Sequence, residues 1–134
     1  SGGHLALLLA AKAERKPWLA IAQAPITDIV EADASKLSDE GDAVRKWIGC
    51  SPQENPTLWD QLNPISNPAV CPTLLIHGKE DTEVPKSQSE AYAVMMEEQE
   101  YEVNTLWLPG DHFSIIDIAN DDWLVQLNAI TDCL

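Results

Sequence analysis

Positive charge is scarce in this 134-residue chain, which has eight Lys and Arg residues against twenty-two Asp and Glu residues and a net charge of −14. Binding to a nucleic-acid backbone requires clustered cations, so we expect no nucleic-acid partner. Long apolar runs are also missing, because no stretch reaches the roughly eighteen apolar residues of a membrane helix. No basic segment precedes an apolar run as in a secretory signal. We therefore expect no membrane association either.

Cysteine is sparse as well, with only Cys50, Cys71 and Cys133 in the chain. Three cysteines form neither an even disulfide framework nor a C-x-x-C metal pattern, although a single Cys50–Cys71 bridge stays open. A reducing compartment fits this usage, which predicts a cytoplasmic location. Because the chain starts at Ser1 rather than at Met, an upstream signal would leave no trace here.

Apolar runs and helical patterns alternate along the chain. Residues 18–24, 73–76 and 101–107 are typical of strands. Residues 4–13 are rich in helix formers, Ser87 and Glu90 have the spacing of a capping box, and Asn120 or Asp121 caps a last helix. This alternation predicts an α/β fold with a mainly parallel sheet flanked by helices. Three strands are few for such a sheet, so we expect a single partial domain over residues 1–134 whose N-terminal half is absent.

Two segments lead to further expectations. Residues 28–67 are looser and polar, with predicted helices at 42–48 and 56–62, and are interpreted as an excursion rather than core. In the last helix, apolar side chains at helical spacing are expected to face inward, namely Trp123, Leu124, Leu127 and Ile130.

Two loops at strand ends contain the residues best suited to catalysis. Asp81 follows the strand at 73–76, and His112 follows the strand at 101–107. If these strands are neighbours, the loops meet at the carboxyl edge of the sheet, where a carboxylate would orient an imidazole for acyl transfer. Glu80 and Glu83 are adjacent rivals of Asp81, whereas Asp111 is interpreted as a turn residue.

The two remaining histidines are expected to be structural. We expect His77 to pack at a strand end beneath the site and His4 to form a local hydrogen bond. A zinc site built from His77, Asp81 and His112 would lack the usual short ligand spacing.

Three stretches together resemble the α/β-hydrolase family. SGGHLALLLA is similar to the end of the G-x-S-x-G nucleophile elbow, HGKEDTEVP to the acid loop and LPGDHFSII to the histidine loop, in the family's order Ser, Asp, His. The resemblance implies the C-terminal part of an α/β-hydrolase with Asp81 as acid and His112 as base. GGHLA and DHFSII most resemble the arylformamidase-like esterase branch, while P-x-L-L-I-H-G is shared with prolyl-oligopeptidase-type peptidases.

The resemblance leaves the role of Ser1 open between two registers. In S-x-G-G-H-L-A the nucleophile precedes Ser1, which then contributes an oxyanion-hole amide. In G-x-S-G-G, Ser1 is itself the nucleophile. Because the other oxyanion donor belongs to an earlier loop, we expect the 134-residue chain alone to be inactive.

The resemblance implies a serine hydrolase that acts on carboxylic esters or small amides without a cofactor or metal. In this family the segment containing Trp47 and Trp59 forms a lid over the acyl pocket. Two alternatives stay open: a prolyl-oligopeptidase-like serine peptidase, and a non-catalytic binding module with the same fold. The oligomeric state is not predicted.

Overall fold

A parallel three-stranded sheet forms the centre of the computed structural model, which describes residues 2–37 and 40–134. The strands are β1 (Ala20–Gln23), β2 (Thr73–Gly78) and β3 (Val103–Leu108), side by side in that order. Ala20 pairs with Thr73, and Thr73 pairs with Val103, so the three strands start level with one another. Their carboxyl ends therefore share one edge, where functional loops collect in open α/β sheets.

Helices cover both faces of this sheet. They are α1 (Gly2–Lys12), α2 (Ile29–Ala34), α3 (Ala43–Ile48), α4 (Pro56–Leu62), α5 (Ser87–Glu98) and α6 (Asp121–Asp132), with short 3-10 turns at Pro64–Ser66 and Ser114–Ile116. Leu7 of α1 and Met96 of α5 pack with Leu75 on one face, whereas Ile130 of α6 packs with Leu74 on the other. Burial on both faces explains the continuous apolar run of β2. The predicted α/β architecture is confirmed.

Residues 28–67 contain a small hydrophobic cluster of their own, apart from Ser38 and Asp39, which lie outside the described residues. Ile29, Val44 and Trp59 are buried there. Helix α2 is an addition to the two helices predicted in this segment. Its one local signal is Asp28, which accepts hydrogen bonds from the amides of residues 30 and 31. The lid function of this segment stays a prediction.

The helix that begins at Ser87 has no capping box. Lys86 occupies the cap position without a side-chain hydrogen bond, and Ser87 is the first helical residue. The polar side chains of this first turn serve other contacts: Gln88 accepts hydrogen bonds from the amides of Thr27 and Asp28, and Ser89 contacts a histidine of β2. The capping box predicted from Ser87 and Glu90 is therefore wrong, because the helix begins one residue earlier than that spacing requires.

The inward face of α6 also differs from the prediction. Leu124 and Leu127 are 63% and 42% exposed, whereas Gln126 is buried. The Nε2 atom of Gln126 donates to the carbonyl of Ile115 at 2.7 Å, and its Oε1 accepts from Gln23 Nε2 at 2.7 Å. The helix is rotated so that this amide satisfies polar groups that burial would otherwise leave unpaired. Asn120 caps α6 as predicted.

Two other sequence expectations concern strands and cysteines. Strand β1 begins at Ala20, and Trp18, which was predicted to belong to it, is 88% exposed. The three cysteines are free thiols, so Cys50 and Cys71 are not bridged. Within residues 2–37 and 40–134, no helix has the length and apolar character needed to cross a membrane.

Candidate active site

Asp81 lies in the loop that follows β2, and the loop itself fixes its carboxylate. Oδ1 accepts hydrogen bonds from the amides of Glu83 at 2.9 Å and Val84 at 2.8 Å. The Asp81 side chain is completely buried. Because Oδ1 is engaged by the loop, Oδ2 is the oxygen that faces outward from this turn.

His112 lies in the loop that follows β3, after the Pro109-Gly110 turn. Asp111 shapes this loop, since its Oδ1 accepts from the amides of Ser114 at 2.8 Å and Phe113 at 3.0 Å. The same hydrogen bonds, from Ser114 first and then Phe113, lower the pKa of the Asp111 carboxyl. Asp111 is thus the turn residue that the sequence indicated.

The two loops are in direct contact through their backbones. The amide of Lys79 donates to the carbonyl of Leu108 at 2.8 Å, and the amide of Glu80 donates to the carbonyl of Gly110 at 3.2 Å. A side chain at Gly78 would overlap the carbonyl oxygen of Gly110. Glycine at the end of β2 therefore permits the close approach of the acid and histidine loops.

This approach brings Asp81 and His112 together. Nδ1 of His112 lies 2.8 Å from Oδ2 of Asp81. An ionised carboxylate only accepts hydrogen bonds, so Nδ1 is the protonated nitrogen and donates. Nε2 of the neutral ring is then a proton acceptor; it has no hydrogen-bond partner among the described residues, and the side chain is 30% exposed. An imidazole in this state has the orientation and tautomer of a general base.

The rival carboxylates and His77 occupy other positions. Within the described part of the chain, neither Glu80 nor Glu83 forms a hydrogen bond or ion pair with His112. His77 is fully buried at the end of β2, beneath Asp81, as predicted. Its Nε2 lies 2.9 Å from the Val84 carbonyl and its Nδ1 lies 2.8 Å from Ser89 Oγ.

The start of α1 reaches the same edge of the sheet. A side chain at Gly3 would meet the carbonyl oxygen of Gln23 at 2.5 Å and Cα of Pro25 at 3.0 Å, so glycine allows α1 to begin against the end of β1. Ser1, the third predicted site residue, lies outside the described residues. The three motifs thus converge at one edge as far as they are described.

The local hydrogen bond predicted for His4 is wrong. His4 Nε2 lies 2.8 Å from the carbonyl of Leu62, fifty-eight residues away, and its ring packs edge-on against Trp47 at 4.9 Å between centroids. Helix α1 begins against the 28–67 segment, which sequence spacing alone does not show. Burial lowers the pKa of His4, which favours the neutral ring.

An apolar cavity of about 330 Å³ opens beside the acid loop. Its lining comprises Val84 of that loop, residues His4 and Ile26, and five residues of the looser segment, namely Ile29, Leu37, Ala43, Val44 and Trp47. Glu83 is the charged residue in this lining. The residues that line this cavity are far apart in the chain, so the sequence alone does not indicate them; only the family resemblance implies an acyl pocket beneath the segment that contains Trp47. Among the described residues, no group of three or more His, Cys, Asp or Glu side chains could hold a metal ion.

A sequence model of the prolyl oligopeptidase family matches residues 1–124. The chain belongs to the prolyl oligopeptidase family. This family has the α/β-hydrolase fold, which confirms the fold resemblance. The prolyl oligopeptidase family is the one to which the peptidase alternative refers. The match does not show the arylformamidase-like branch. A search of curated proteins gave no significant match.

Solved structures share the fold over nearly the whole chain. An acylaminoacyl peptidase from Pyrococcus horikoshii is 23% identical with a TM-score of 0.80, over 98% of this chain and 21% of its own. Dipeptidyl peptidase 4 from Porphyromonas gingivalis is 15% identical with a TM-score of 0.74, over 97% and 18%. An acetyl ester-xyloside bifunctional hydrolase from Caldicellulosiruptor lactoaceticus is 19% identical with a TM-score of 0.71, over 98% and 53%. The chain thus spans about one fifth of the length of the two peptidases and about half of the third.

Proposed function

We propose that the protein containing this chain is a serine hydrolase that cleaves ester or amide bonds, with His112 as general base and Asp81 as the carboxylate that orients it. The observation that supports this most is the 2.8 Å contact between His112 Nδ1 and Asp81 Oδ2. It leaves Nε2 free to accept a proton at the sheet edge where α1 begins. Membership of the prolyl oligopeptidase family supports the same chemistry.

The reaction would proceed in two acyl transfers. His112 Nε2 takes the proton of a serine hydroxyl while the serine oxygen attacks the acyl carbon. The imidazolium, stabilised by Asp81, then protonates the departing alcohol or amine. Water enters, gives its proton to His112 and attacks the acyl-serine, and the imidazolium returns that proton to the serine as the acid product leaves.

The serine is proposed to lie in the elbow directly before Gly2. In one register it is the residue that precedes Ser1, and the Ser1 amide donates to the oxyanion; in the other it is Ser1 itself. In both registers the nucleophile would precede Gly2, the first residue of α1, and this helix begins against the carboxyl end of β1. The described contacts of Gly3 support this position but do not distinguish the registers.

The apolar cavity would receive an apolar group next to the bond that is cleaved. Val84 links it to the acid loop, since the Val84 amide binds Asp81 and its side chain lines the cavity. Esters and small amides with an apolar acyl group are the first proposed substrates. Peptides are the second, because the family is that of the prolyl oligopeptidases and two of the similar structures are named as peptidases.

The test compares a p-nitrophenyl ester and a peptidyl p-nitroanilide in the full-length protein. His112→Ala should lower kcat by at least about 10³-fold for whichever substrate is cleaved, because no base then accepts the serine proton. Glu80→Gln is the matched control: it changes a neighbouring exposed acid that does not contact His112, and should keep wild-type turnover. Near-normal turnover by His112→Ala would refute the role of His112, whereas no turnover of either substrate by the wild type would favour the non-catalytic binding module.

A further inference from the structure

Val84 is bound through both of its backbone polar groups. Its amide donates to Asp81 Oδ1 at 2.8 Å, and its carbonyl lies 2.9 Å from Nε2 of His77. The residue that fixes the Asp81 carboxylate is therefore itself attached to the end of β2. A movement of Val84 would change the orientation of Asp81 directly.

The contacts of His77 determine its tautomer. A carbonyl oxygen only accepts hydrogen bonds, so the 2.9 Å contact with Val84 requires the proton on Nε2. In the neutral ring Nδ1 is then an acceptor, and the hydroxyl of Ser89, 2.8 Å away, donates to it. Ser89 is completely buried on α5. Helix α5 thereby holds the second nitrogen of the ring that binds the acid loop.

Nε2 of His77 also lies close to the functional carboxylate, although its hydrogen bond goes to the Val84 carbonyl. Nε2 lies 3.4 Å from Asp81 Oδ2, the oxygen that accepts from His112, and both side chains are completely buried. At this distance the contact is weaker than a hydrogen bond of normal length, but a low local dielectric strengthens the attraction between the N–H dipole and the carboxylate. His77 therefore acts on Asp81 both through Val84 and directly.

A purely packing role does not require these polar groups. His77 occupies a position in β2 where the preceding residues Leu74, Leu75 and Ile76 are apolar. Burying an imidazole costs free energy unless both nitrogens are paired, and here both pair with groups that lead to Asp81 or fix the ring. A Leu side chain would fill much of the same space without this cost.

We infer that His77, held between Ser89 and the Val84 carbonyl, is a positioning residue that orients Asp81 toward His112. The inference rests on the proposed function. It assigns to His77 an effect on the chemical step and not on substrate binding, because its described contacts are with the acid loop, α5 and Trp107 and not with the cavity.

The experiment measures kcat and KM in the full-length protein for His77→Leu and His77→Gln. His77→Leu should lower kcat about 10- to 100-fold with KM within about twofold, since small displacements of a catalytic group cost rate on this scale. The acid limb of the kcat/KM profile should also move to lower pH, because a displaced carboxylate stabilises the imidazolium of His112 less. His77→Gln should recover part of kcat, since its amide can donate to the Val84 carbonyl.

Ser89→Ala provides a second test that leaves the imidazole in place. Without the hydroxyl, Nδ1 of the buried ring loses its hydrogen-bond partner, so the ring is held on one side only and its Nε2–H is placed less firmly against the Val84 carbonyl. We expect kcat to fall about 3- to 10-fold, the scale of one lost buried hydrogen bond. Ser87→Ala is the matched control, because Ser87 is exposed in the same turn of α5 and should keep wild-type kcat.

The results separate this inference from the proposed function. If His112→Ala is inactive while folded His77→Leu and Ser89→Ala have wild-type kcat and pH profiles, the positioning role is refuted and the hydrolase proposal stands. If His77→Leu does not fold, wild-type kcat in Ser89→Ala refutes the role by itself. Equal losses in His77→Leu and His77→Gln with a raised KM would also overturn it, because they indicate general damage to the fold.

Discussion

Replacement of Asp81 by Asn tests the geometry of the acid loop with the smallest change in shape. The amides of Glu83 and Val84 donate to Oδ1 in the wild type. In Asp81→Asn these amides select the orientation in which the side-chain oxygen stays on the loop, since the NH₂ group cannot accept from them. The NH₂ group then occupies the position of Oδ2, opposite Nδ1 of His112.

This orientation makes the wrong histidine tautomer the stable one. An NH₂ donor beside Nδ1 favours an unprotonated Nδ1 and places the ring proton on Nε2, which can no longer accept a proton from serine. In Ser-His-Asp triads this exchange lowers kcat by about 10⁴-fold. The loop hydrogen bonds survive, so the free energy of unfolding should change by less than about 1 kcal/mol beyond the loss of the charged contact. Asp81→Ala removes the loop hydrogen bonds as well and should cost about 1 to 3 kcal/mol more.

The assay is steady-state hydrolysis of the p-nitrophenyl ester by full-length Asp81→Asn, with thermal unfolding measured on the same preparation. We expect a fall in kcat of about 10³- to 10⁴-fold, KM within a few fold and a Tm close to that of wild type. Glu80→Gln should match wild type in both measurements. A kcat within tenfold of wild type for folded Asp81→Asn would refute the assigned tautomer and with it the role of Asp81.

Three further variants test the surroundings of the site. Trp47→Ala should raise KM for substrates with a bulky apolar group about three- to tenfold, because Trp47 lines the cavity. Trp18 is 88% exposed and does not line it, so Trp18→Ala should leave KM unchanged. Gly78→Ala should lower both the free energy of unfolding, by about 1 to 3 kcal/mol, and kcat, because its methyl group would overlap the Gly110 carbonyl; denaturant titration and turnover measure the two effects. Because burial lowers the pKa of His4 below its ordinary 6.5, the unfolded state binds a proton first as pH falls, so stability should decrease below about pH 6.5. The loss of Tm between about pH 7.5 and about pH 5.5 should therefore be smaller in His4→Gln than in wild type.

Sequence reasoning predicted the parts of this molecule that depend on local pattern and chain order. The strand 73–76 was visible because burial on both faces leaves a continuous apolar run. Asp81 and His112 each follow a strand of a parallel sheet, so their loops were expected to meet at one edge. The structure has the two side chains in contact there, at 2.8 Å. The catalytic roles of both residues stay predictions until turnover is measured.

Features that depend on distant partners were beyond sequence reasoning. His4 bonds to Leu62 rather than to its own helix, and Gln126 turns inward to reach Ile115 and Gln23. In each case a buried polar group finds a partner far along the chain, and the free energy of that pairing outweighs the local preference. The spacing of apolar residues in α6 predicted a helix, but it did not predict how that helix is rotated against the sheet.

The central claim is that His112 activates a serine in the elbow before Gly2. Its most direct test is labelling of the full-length protein with a fluorophosphonate, followed by mass spectrometry of the peptide that contains α1. The account predicts one adduct, on Ser1 or on the residue before it, which also decides the register, and a labelling rate at least about 100-fold lower in His112→Ala. Absence of an adduct in the wild type, or equal labelling rates in wild type and His112→Ala, would contradict it.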